Sequence, residues 1–409
     1  MAIQTTVTAG VGVALSNSIR TQYVENYLEG AMAERLYDQI AMPIGANMAE
    51  LKRGSSVQVE FLSDMGLATS AISEVTDITP TSLVDAVASI TPTSRANALQ
   101  VSEKLEIEVF TDYNAKLAQR VGKNAMESID AVARDAAVQG SFVLRATARG
   151  SLDAGNTAHR ASETDFLEAS GYLQAFKIPG FQDPINGAAM WPAIMHPYVL
   201  HDILKEPSSV AVGIAQYQNQ DLYFNHELAS LHGFRLVVSP WAKVFYGMGA
   251  ANAGPYGSNI GTAVTALATA FTTTGDSASA SNGAWINIGT VETGDTHGYN
   301  RERVRFVSRT NNAITIIGEG ANGGFRFAHA AGTPVNNNDS VYTVVIGGPD
   351  SLAKVYAPEV GEYGMIVGPK KEGILDQWTQ IGWKWYGGYG RLRENGLVRL
   401  EVSVSNEHV

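Results

Sequence analysis

The sequence contains no cysteine among its 409 residues. This absence excludes a disulfide framework, thiolate metal sites and cysteine catalysis, and it is typical of a protein that assembles in a reducing cytoplasm. Packing and association between chains must therefore supply the stability. With 45% hydrophobic residues, a chain of this length is expected to bury more than one core and to form two or more structural units.

Positive charge is also scarce. The chain has 29 Lys and Arg against 40 Asp and Glu, which gives a net charge of -11. Such a charge repels phosphate backbones and anionic membrane surfaces. Short basic clusters occur at Lys370 and Lys371, and at Arg301, Arg303, Arg305 and Arg309. The second cluster lies on an alternating strand pattern, which predicts a solvated face rather than a track for phosphates.

Long hydrophobic runs are missing as well. No stretch approaches the roughly 18 apolar residues that a bilayer span requires. An apolar run over 9–15 has no basic residue before it, because the first one is Arg20. A secretory signal peptide begins with a basic region, so we expect an unexported, soluble protein.

The N-terminal third predicts projections with no core of their own. Residues 1–20 are uncharged apart from Arg20 and lack periodicity, as in a disordered arm or one that a neighbour orders. A short amphipathic helix is predicted over 17–40. Strand patterns follow at 57–61, 99–102 and 105–109, and the pentapeptide Ile-Thr-Pro-Thr-Ser occurs twice between them, at 78–82 and 90–94. Its prolines suit sheet edges. A long two-stranded excursion of this kind is marginally stable alone and is expected to pack on another subunit.

Helices and strands mix in the middle of the chain. An apolar stripe predicts a helix over 111–148, capped by Thr111 or Asp112 and on the order of 50 Å long. A second helix is predicted over 163–176, with Ser162 as its cap. A buried strand over 191–195 precedes a helix that begins at Pro197, and another strand covers 233–240. This order indicates an α+β fold.

Composition changes at about residue 247. Residues 247–340 are rich in Gly, Ala, Thr, Ser and Asn, and they predict a small all-β insertion, a barrel or a sandwich. Its strand candidates lie at 285–291, 304–309, 313–318 and 325–328, and a further strand follows at 341–346. Near the C-terminus, Asn395 and Gly396 predict a hairpin that joins 391–393 to 397–404.

Two motifs invite a chemical interpretation that their context does not favour. Residues 318–323 match G-x-G-x-x-G, but an alternating strand pattern follows instead of the helix that a dinucleotide loop needs. A hairpin turn is favoured. His196 and His201 are five positions apart, so they do not share a helix face as zinc ligands would, and His226 and His232 lie on a loop-like segment. Ordinary hydrogen-bonded histidines are favoured.

The remaining candidates are acidic and aromatic. Glu103, Glu106 and Glu108 could be paired carboxylates, but Glu106 and Glu108 share a predicted solvent face where a raised pKa is not expected. Four aromatic residues near the C-terminus could stack on nucleic-acid bases, or they could form a buried strand face or a subunit contact. The buried face or subunit contact is favoured for Trp383, Trp385, Tyr386 and Tyr389. We therefore predict no catalytic, cofactor-binding or metal-binding residues, no cofactor, and no enzymatic activity.

The order of these parts resembles the major capsid proteins of tailed bacteriophages. Several strings strengthen the resemblance: Val101-Ser102-Glu103, His196-Pro197-Tyr198 with His201-Asp202, Gly233-Phe234-Arg235 before Val237-Val238, and Ile381-Gly382-Trp383-Lys384. Each string is weak alone, whereas their order and spacing together are specific. The resemblance covers nearly the whole chain outside 247–340, a segment that departs from the family's minimal pattern.

The resemblance implies a division of the chain. An N-terminal arm with a short helix would cover 1–53, and an extended β-hairpin loop 54–110. The peripheral domain with its long spine helix would cover 111–184, and the C-terminal strands 381–409 would return to it. The axial domain would comprise 185–246 and 341–380, interrupted by the inserted all-β domain at 247–340.

The resemblance also implies a function. The chain is expected to self-assemble as hexamers and pentamers into an icosahedral head shell that encloses double-stranded DNA without sequence-specific binding. Its expected partners are further copies, a portal, and scaffolding or decoration proteins, with no membrane. The expected location is the virion, after assembly in the bacterial host cytoplasm. Two alternatives stay open: an encapsulin-like nanocompartment shell, and a β-rich carbohydrate-binding protein or hydrolase.

Overall fold

The computed structural model divides the chain into two compact units. The first contains Met1–Ala133 and Leu352–Leu392, and the second contains Arg134–Ser351 and Arg393–Val409. The structure describes residues 35–44, 56–62, 85–104, 113–182, 189–205, 231–250, 258–274, 285–289, 301–310, 312–318, 320, 323–373 and 377–405.

The described elements mix helices and strands. The α-helices are α1 (Tyr37–Ile40), α2 (Tyr113–Val138), α3 (Glu163–Ala175) and α4 (Pro197–Lys205). The first ten strands are β1 (Met42–Pro43), β2 (Val57–Leu62), β3 (Asp85–Ile90), β4 (Thr93–Ser102), β5 (Val143–Leu144), β6 (Phe181–Gln182), β7 (Ala189–Met195), β8 (Phe234–Val238), β9 (Val244–Phe245) and β10 (Ser258–Asn259). The others are β11 (Ala270–Thr272), β12 (Trp285–Ile288), β13 (Glu302–Thr310), β14 (Ala313–Ile317), β15 (Pro334–Asn336), β16 (Val341–Gly347), β17 (Leu352–Tyr356), β18 (Met365–Glu372), β19 (Trp378–Arg391) and β20 (Leu397–Val402).

Helix α2 is the spine predicted from the apolar stripe, but it is shorter than expected. Its 26 residues extend about 39 Å at 1.5 Å per residue, and it ends at Val138 rather than near 148. Gly140 follows directly, and the chain then enters β5, which pairs in parallel with β20. A glycine just beyond the last turn is a common helix stop. The candidate caps Thr111 and Asp112 lie outside the described residues.

One side of α2 packs on the main sheet of the first unit. The sheet has the order β1-β17-β19-β18, and β4 pairs with β19 along its whole length. Residues on one face of β19 are buried against α2: Ile381, Trp383 and Trp385 contact Val121, Ala125, Met126 and Ile129. The period-two pattern of β19 and the helical stripe of α2 thus meet in a single core, as the sequence patterns predicted.

Strand β2 pairs with β3 over six residues and forms a separate two-stranded sheet. Residues 93–102 pair with β19 over ten successive positions. Pro92 lies between β3 and β4, outside both ladders, in agreement with its missing backbone donor. Residues 105–109 lie outside the described part of the chain.

The second unit contains a seven-stranded sheet with the order β5-β20-β16-β7-β6, to which β8 and β9 add at β7 and β16. Helices α3 and α4 cover it. The inward residues predicted for α3, Phe166, Ala169 and Leu173, are fully buried. The Asp165 side chain accepts from the backbone N–H of Ser162 at 2.8 Å, which completes a capping box at the predicted start of the helix.

Six strands between residues 258 and 336, in the part of this region that the structure describes, form an antiparallel sheet ordered β10-β15-β12-β13-β14-β11. It encloses its own apolar cluster, which includes Ile286, Val304 and Phe325. The described part of this region therefore consists of strands. The assignment of 247–340 as a separate inserted domain stays a prediction, as do the other domain bounds.

The strand predicted at 325–328 is wrong. The backbone N–H groups of Arg326 and Phe327 donate to the Glu302 carboxylate, at 2.7 and 3.1 Å, instead of to a neighbouring strand. The alternating pattern of Phe-Arg-Phe comes from Phe325 entering the core while Arg326 stacks on Trp241, 4.8 Å from the ring centroid.

The hairpin predicted at Asn395 and Gly396 is also wrong. Glu394–Gly396 is a single 3-10 turn, and the strands on either side do not pair with each other. Strand β19 pairs with β17, β18 and β4 in the first unit, while β20 pairs with β16 and β5 in the second. The local turn signal is real, but the chain uses it to pass from one sheet to another.

Candidate functional site

Two of the strings that carried the resemblance meet in the sheet of the first unit. Thr379 of β19 pairs with Val101 of β4. The Trp383 Nε1 donates to Asn124 Oδ1 of α2 at 3.0 Å. The same oxygen accepts from Asn97 Nδ2 at 3.1 Å. These residues therefore fix the spine helix to the sheet.

The aromatic residues considered for base stacking are mostly inside. Trp383 is 4% exposed and Trp385 is fully buried, whereas Tyr386 is 36% exposed. Trp385 stacks on Tyr389, with 5.9 Å between ring centroids. A ring enclosed by its own core has no free face for a base, so the burial favours the structural interpretation of both tryptophans.

A buried polar cluster lies beside this core. It joins the short segment before β1, helix α2, strand β17, the turn after β17 and strand β19. We define the polar cluster as Arg35, Asp38, Asp130, Lys354, Glu362 and Tyr389. Four of its members lie on elements whose other side chains are buried in the core of the first unit: Asp38 on α1, Asp130 on α2, Lys354 on β17 and Tyr389 on β19.

Asp38 is the centre of the polar cluster. Its Oδ1 accepts from Lys354 Nζ at 2.8 Å and from the Tyr389 hydroxyl at 2.6 Å, and its Oδ2 accepts from Arg35 at 2.5 Å. Lys354 Nζ also lies 2.6 Å from Glu362 Oε1. Asp38 is 3% exposed and Lys354 4%. Buried charges require such pairing, because desolvation otherwise disfavours them.

Asp130 holds the start of α1. Its Oδ1 accepts three consecutive backbone N–H groups, those of Leu36, Tyr37 and Asp38, at 3.1, 2.9 and 3.0 Å. The pKa of Asp130 is raised to about 6, chiefly by burial and to a smaller extent by the charge of Asp38, while the three N–H donors act in the opposite direction. Burial and the Asp38 contact likewise raise the pKa of Tyr389.

The sequence gives no signal for this cluster. Asp130 is 92 positions from Asp38, and Tyr389 is 351 positions from it. The only hint in the sequence is that an acidic residue, Asp130, directly follows Ile129 of the apolar stripe of the predicted helix. Partners at such separations are decided by the fold.

The histidines do not converge. His196 packs against the rings of Tyr198 and Tyr342, with centroids 4.8 and 5.1 Å away, and burial lowers its pKa to about 4, with a smaller effect from Arg303. His232 Nε2 lies 2.7 Å from Glu163 Oε1. His226 lies outside the described residues. Within the described ranges no three His, Asp or Glu residues form a possible metal site.

The other chemical candidates are also separate. The backbone N–H of Glu103 donates to the carbonyl of Gln377 at 2.9 Å. Glu106 and Glu108 lie outside the described residues. In the glycine string, Gly318 donates to the carbonyl of Gly323 at 2.8 Å, closing a tight loop. Bends follow this loop through residue 328, not the helix of a dinucleotide site.

The arginine cluster differs from its prediction. Arg301 and Arg303 are each 6% exposed and do not lie on a solvated face. Arg303 stacks on Trp285, 4.4 Å from the centroid, and donates to the Tyr342 hydroxyl at 3.2 Å. Arg305 is exposed, as expected. Alternation could not reveal that Arg303 meets a residue of the neighbouring sheet, so half of the predicted solvated face is wrong.

Several large apolar side chains are exposed on the strands of the first unit. The exposed fractions are 51% for Val87, 44% for Trp378, 43% for Leu99, 41% for Val367 and 36% for Tyr386. Scattered exposed apolar residues are normal, whereas a contiguous patch of them is typical of a surface that meets another molecule. Among the described helices, none has the length and hydropathy of a bilayer span.

No family model matches the sequence, and no curated protein matches it. Solved structures do match. The head structure of Helicobacter pylori bacteriophage KHP40 has a TM-score of 0.51 at 11% identity, covering 90% of this chain and 92% of that chain. The chain has a phage-capsid fold. The capsid structure of cyanophage P-SCSP1u, at 12% identity, and the capsid asymmetric unit of cyanophage Pam1, at 11%, each give a TM-score of 0.50 and cover 90% of this chain and 89% of theirs.

The phage-capsid fold confirms the α+β class and, at the level of the fold, the resemblance that the sequence strings indicated. Within this fold, the residues of the polar cluster all belong to one chain. It fixes the residues just before β1 to the spine helix α2, which is the element that the sequence identified most clearly.

Proposed function

We propose that this protein is a major capsid subunit that self-assembles into an icosahedral shell around double-stranded DNA. The observation that carries the proposal is the phage-capsid fold, which extends over 90% of this chain and 89–92% of the three structures named above. The likeness therefore concerns most of each chain and not a single shared module. In this function the protein acts by its geometry and not by chemistry.

The surface of the first unit supports a role in which copies complete one another. Among the described residues, the sheet of β2 and β3 has two strands, and two-stranded ribbons are marginally stable without further packing. Val87 on β3 is half exposed, and so are Leu99 and Trp378 on the neighbouring sheet. Burial of such side chains between subunits would make stability inseparable from assembly.

The shell would consist of hexamers and pentamers of this chain, with a portal and scaffolding or decoration proteins as further partners. The net charge of -11 suits a wall that confines DNA without gripping it. Location in the virion, after assembly in the host cytoplasm, follows from the same function. We propose no catalytic, cofactor or metal site.

Electron microscopy of the purified full-length chain tests the proposal. We expect closed particles, or hexameric and pentameric rings, in negative stain, and a high-mass fraction by size-exclusion chromatography with light scattering. The matched variant carries Trp378→Ser and Val367→Ser. Both side chains are more than 40% exposed and contribute little to the subunit's own core, so the change should weaken contacts between subunits and leave the subunit folded. A chain that stays monomeric at high concentration would reject the proposal.

The same preparation separates the rival functions. Shells that contain host protein and assemble with no phage component would support a nanocompartment. Turnover of a glycoside, or binding of an oligosaccharide by a monomer, would support a hydrolase or lectin. Retention of duplex DNA by the shells at high salt would contradict a wall that only confines it, since electrostatic binding weakens with salt.

A further inference from the structure

The segment that precedes β1 is attached to the first unit both by buried apolar side chains, Tyr37, Ile40 and Ala41, and by ionisable groups. Its helix α1 has only four residues, too few for a stable isolated helix. Asp130 accepts the N–H groups of Leu36, Tyr37 and Asp38, which are the donors that a helix start leaves unsatisfied. The strength of the attachment at the start of α1 therefore depends in part on the state of this carboxyl group.

The charged and titratable groups around Asp130 come from five parts of the chain. Its own helix contributes Glu127, which lies 3.7 Å from Lys123, and the segment before β1 contributes Arg35 and Asp38. Strand β17 contributes Lys354, the turn after it contributes Glu362 and Tyr363, and β19 contributes the Tyr389 hydroxyl.

The two cations of the cluster are already committed. Arg35 and Lys354 both pair with Asp38, and Lys354 pairs with Glu362 as well. Within the described residues, Asp130 forms no ion pair with a Lys or Arg, and its hydrogen bonds come from backbone N–H groups. With all groups ionised, Asp130 places a second buried negative charge beside Asp38, so it is the carboxyl of the cluster that gains most from a proton.

We propose that Asp130 is a proton-operated latch that holds the Arg35–Ile44 segment on the spine helix more firmly when it is protonated than when it is ionised. A protonated carboxyl still offers a carbonyl oxygen to the three N–H donors, but it no longer repels Asp38 or requires charge to be buried. The inference concerns a single chain and does not depend on the proposed capsid function.

The direction of the pH effect follows from the raised pKa. The folded value for Asp130 is about 6, above its ordinary 3.8, so the folded state binds the proton more tightly than the opened state. The latch is therefore tightest below about pH 4 and loosens as the pH rises through about 6. Between pH 5 and pH 8 the opening equilibrium should change about tenfold.

Hydrogen exchange measures this opening. In the full-length chain, exchange of the backbone amides of Leu36, Tyr37 and Asp38 is followed by mass spectrometry from pH 5 to pH 8, and protection factors are corrected for the intrinsic rate. We expect protection to fall about tenfold over this range, with a midpoint near pH 6. Equal or greater protection at pH 8 than at pH 5 would overturn the inference.

Two variants locate the effect. Asp130→Asn keeps an acceptor oxygen and cannot ionise, so the pH dependence at these amides should disappear. Asp165→Asn is the matched control: its carboxylate caps α3 through Ser162 at 2.8 Å, far from α1 in sequence, and its loss should leave the profile at 36–38 unchanged. If Asp130→Asn does not fold, the wild-type profile alone still decides. A pH dependence that persists in Asp130→Asn would assign the proton to another group and reject the latch.

Discussion

Glu401 shows how a single residue can hold several charges inside the second unit. It is fully buried. Arg145 lies 3.2 Å from its Oε2, and Arg149 donates to the same oxygen at 3.0 Å and to Oε1 as well. Arg399 lies 3.0 Å from Oε1 and is 4% exposed. One carboxylate thus balances three guanidinium groups, two of them largely removed from water.

Glu401→Gln should destabilise the subunit by about 3 kcal/mol, because it leaves buried arginines without their counter-charge. Urea unfolding followed by circular dichroism measures the loss. The control is Glu127→Gln: its partner Lys123 is 3.7 Å away and half exposed, so the change should stay within about 0.5 kcal/mol. Equal losses in the two variants would show that the Glu401 charge contributes little.

At the scale of elements, α3 illustrates what local sequence encodes. Its cap at Ser162, its buried face and its end near residue 175 all follow from patterns within a few turns. Gly171 is the exception, since it lies on the exposed side of the helix and a Cβ there would meet nothing within 4 Å. Nothing in the part of the chain that the structure describes explains this glycine.

Gly171→Ala should stabilise the chain by about 1 kcal/mol, because alanine loses less backbone entropy in a helix. The midpoint of thermal unfolding should rise accordingly. Gly180→Ala is the contrasting variant: its Cβ would lie 2.9 Å from the backbone nitrogen of Met190, so this change should lower the midpoint. A fall in stability for Gly171→Ala would mean that this helix face is covered by something that a methyl group displaces.

At the scale of the whole molecule, the two chain segments that connect the six-stranded sheet to the rest of the second unit lie side by side. Gly249 N–H donates to the Asp339 carbonyl at 2.7 Å, and Asp339 N–H donates to Ala250 at 2.9 Å. The chain therefore enters and leaves this region at one place. Its apolar cluster is also distinct from that of the seven-stranded sheet.

Replacing 251–338 by a short Gly-Ser linker should leave the seven-stranded sheet folded. We expect a cost of about 1 kcal/mol from the lost hydrogen bond between Arg303 and Tyr342. Thermal unfolding and hydrogen exchange of β16 test this. An aggregated or unfolded product would show that the two sheets fold as one. Electron microscopy of the variant then tells whether shell formation requires the replaced region.

Much of the fold could be predicted from the sequence. The spine helix, the α3 cap, the strand before Pro197 and the buried face of β19 are encoded by periodicity and by capping residues within about 15 positions. The candidate site could not be predicted in this way. Asp130 and Asp38 give no local pattern, and the polar cluster exists only because α2 and β19 bring them together with Tyr389.

The sequence by itself determined which segments become helices or strands, the shortage of basic charge, and the order of parts that resembles a phage capsid. Only the tertiary structure decided which strands pair, that Asn395 and Gly396 join two sheets instead of one hairpin, and that Arg303 is buried. The physical reason is range. Helical hydrogen bonding and side-chain periodicity act between near neighbours, whereas strand pairing and charge burial depend on residues far away in the sequence, 39 positions for Arg303 and Tyr342 and 351 for Asp38 and Tyr389.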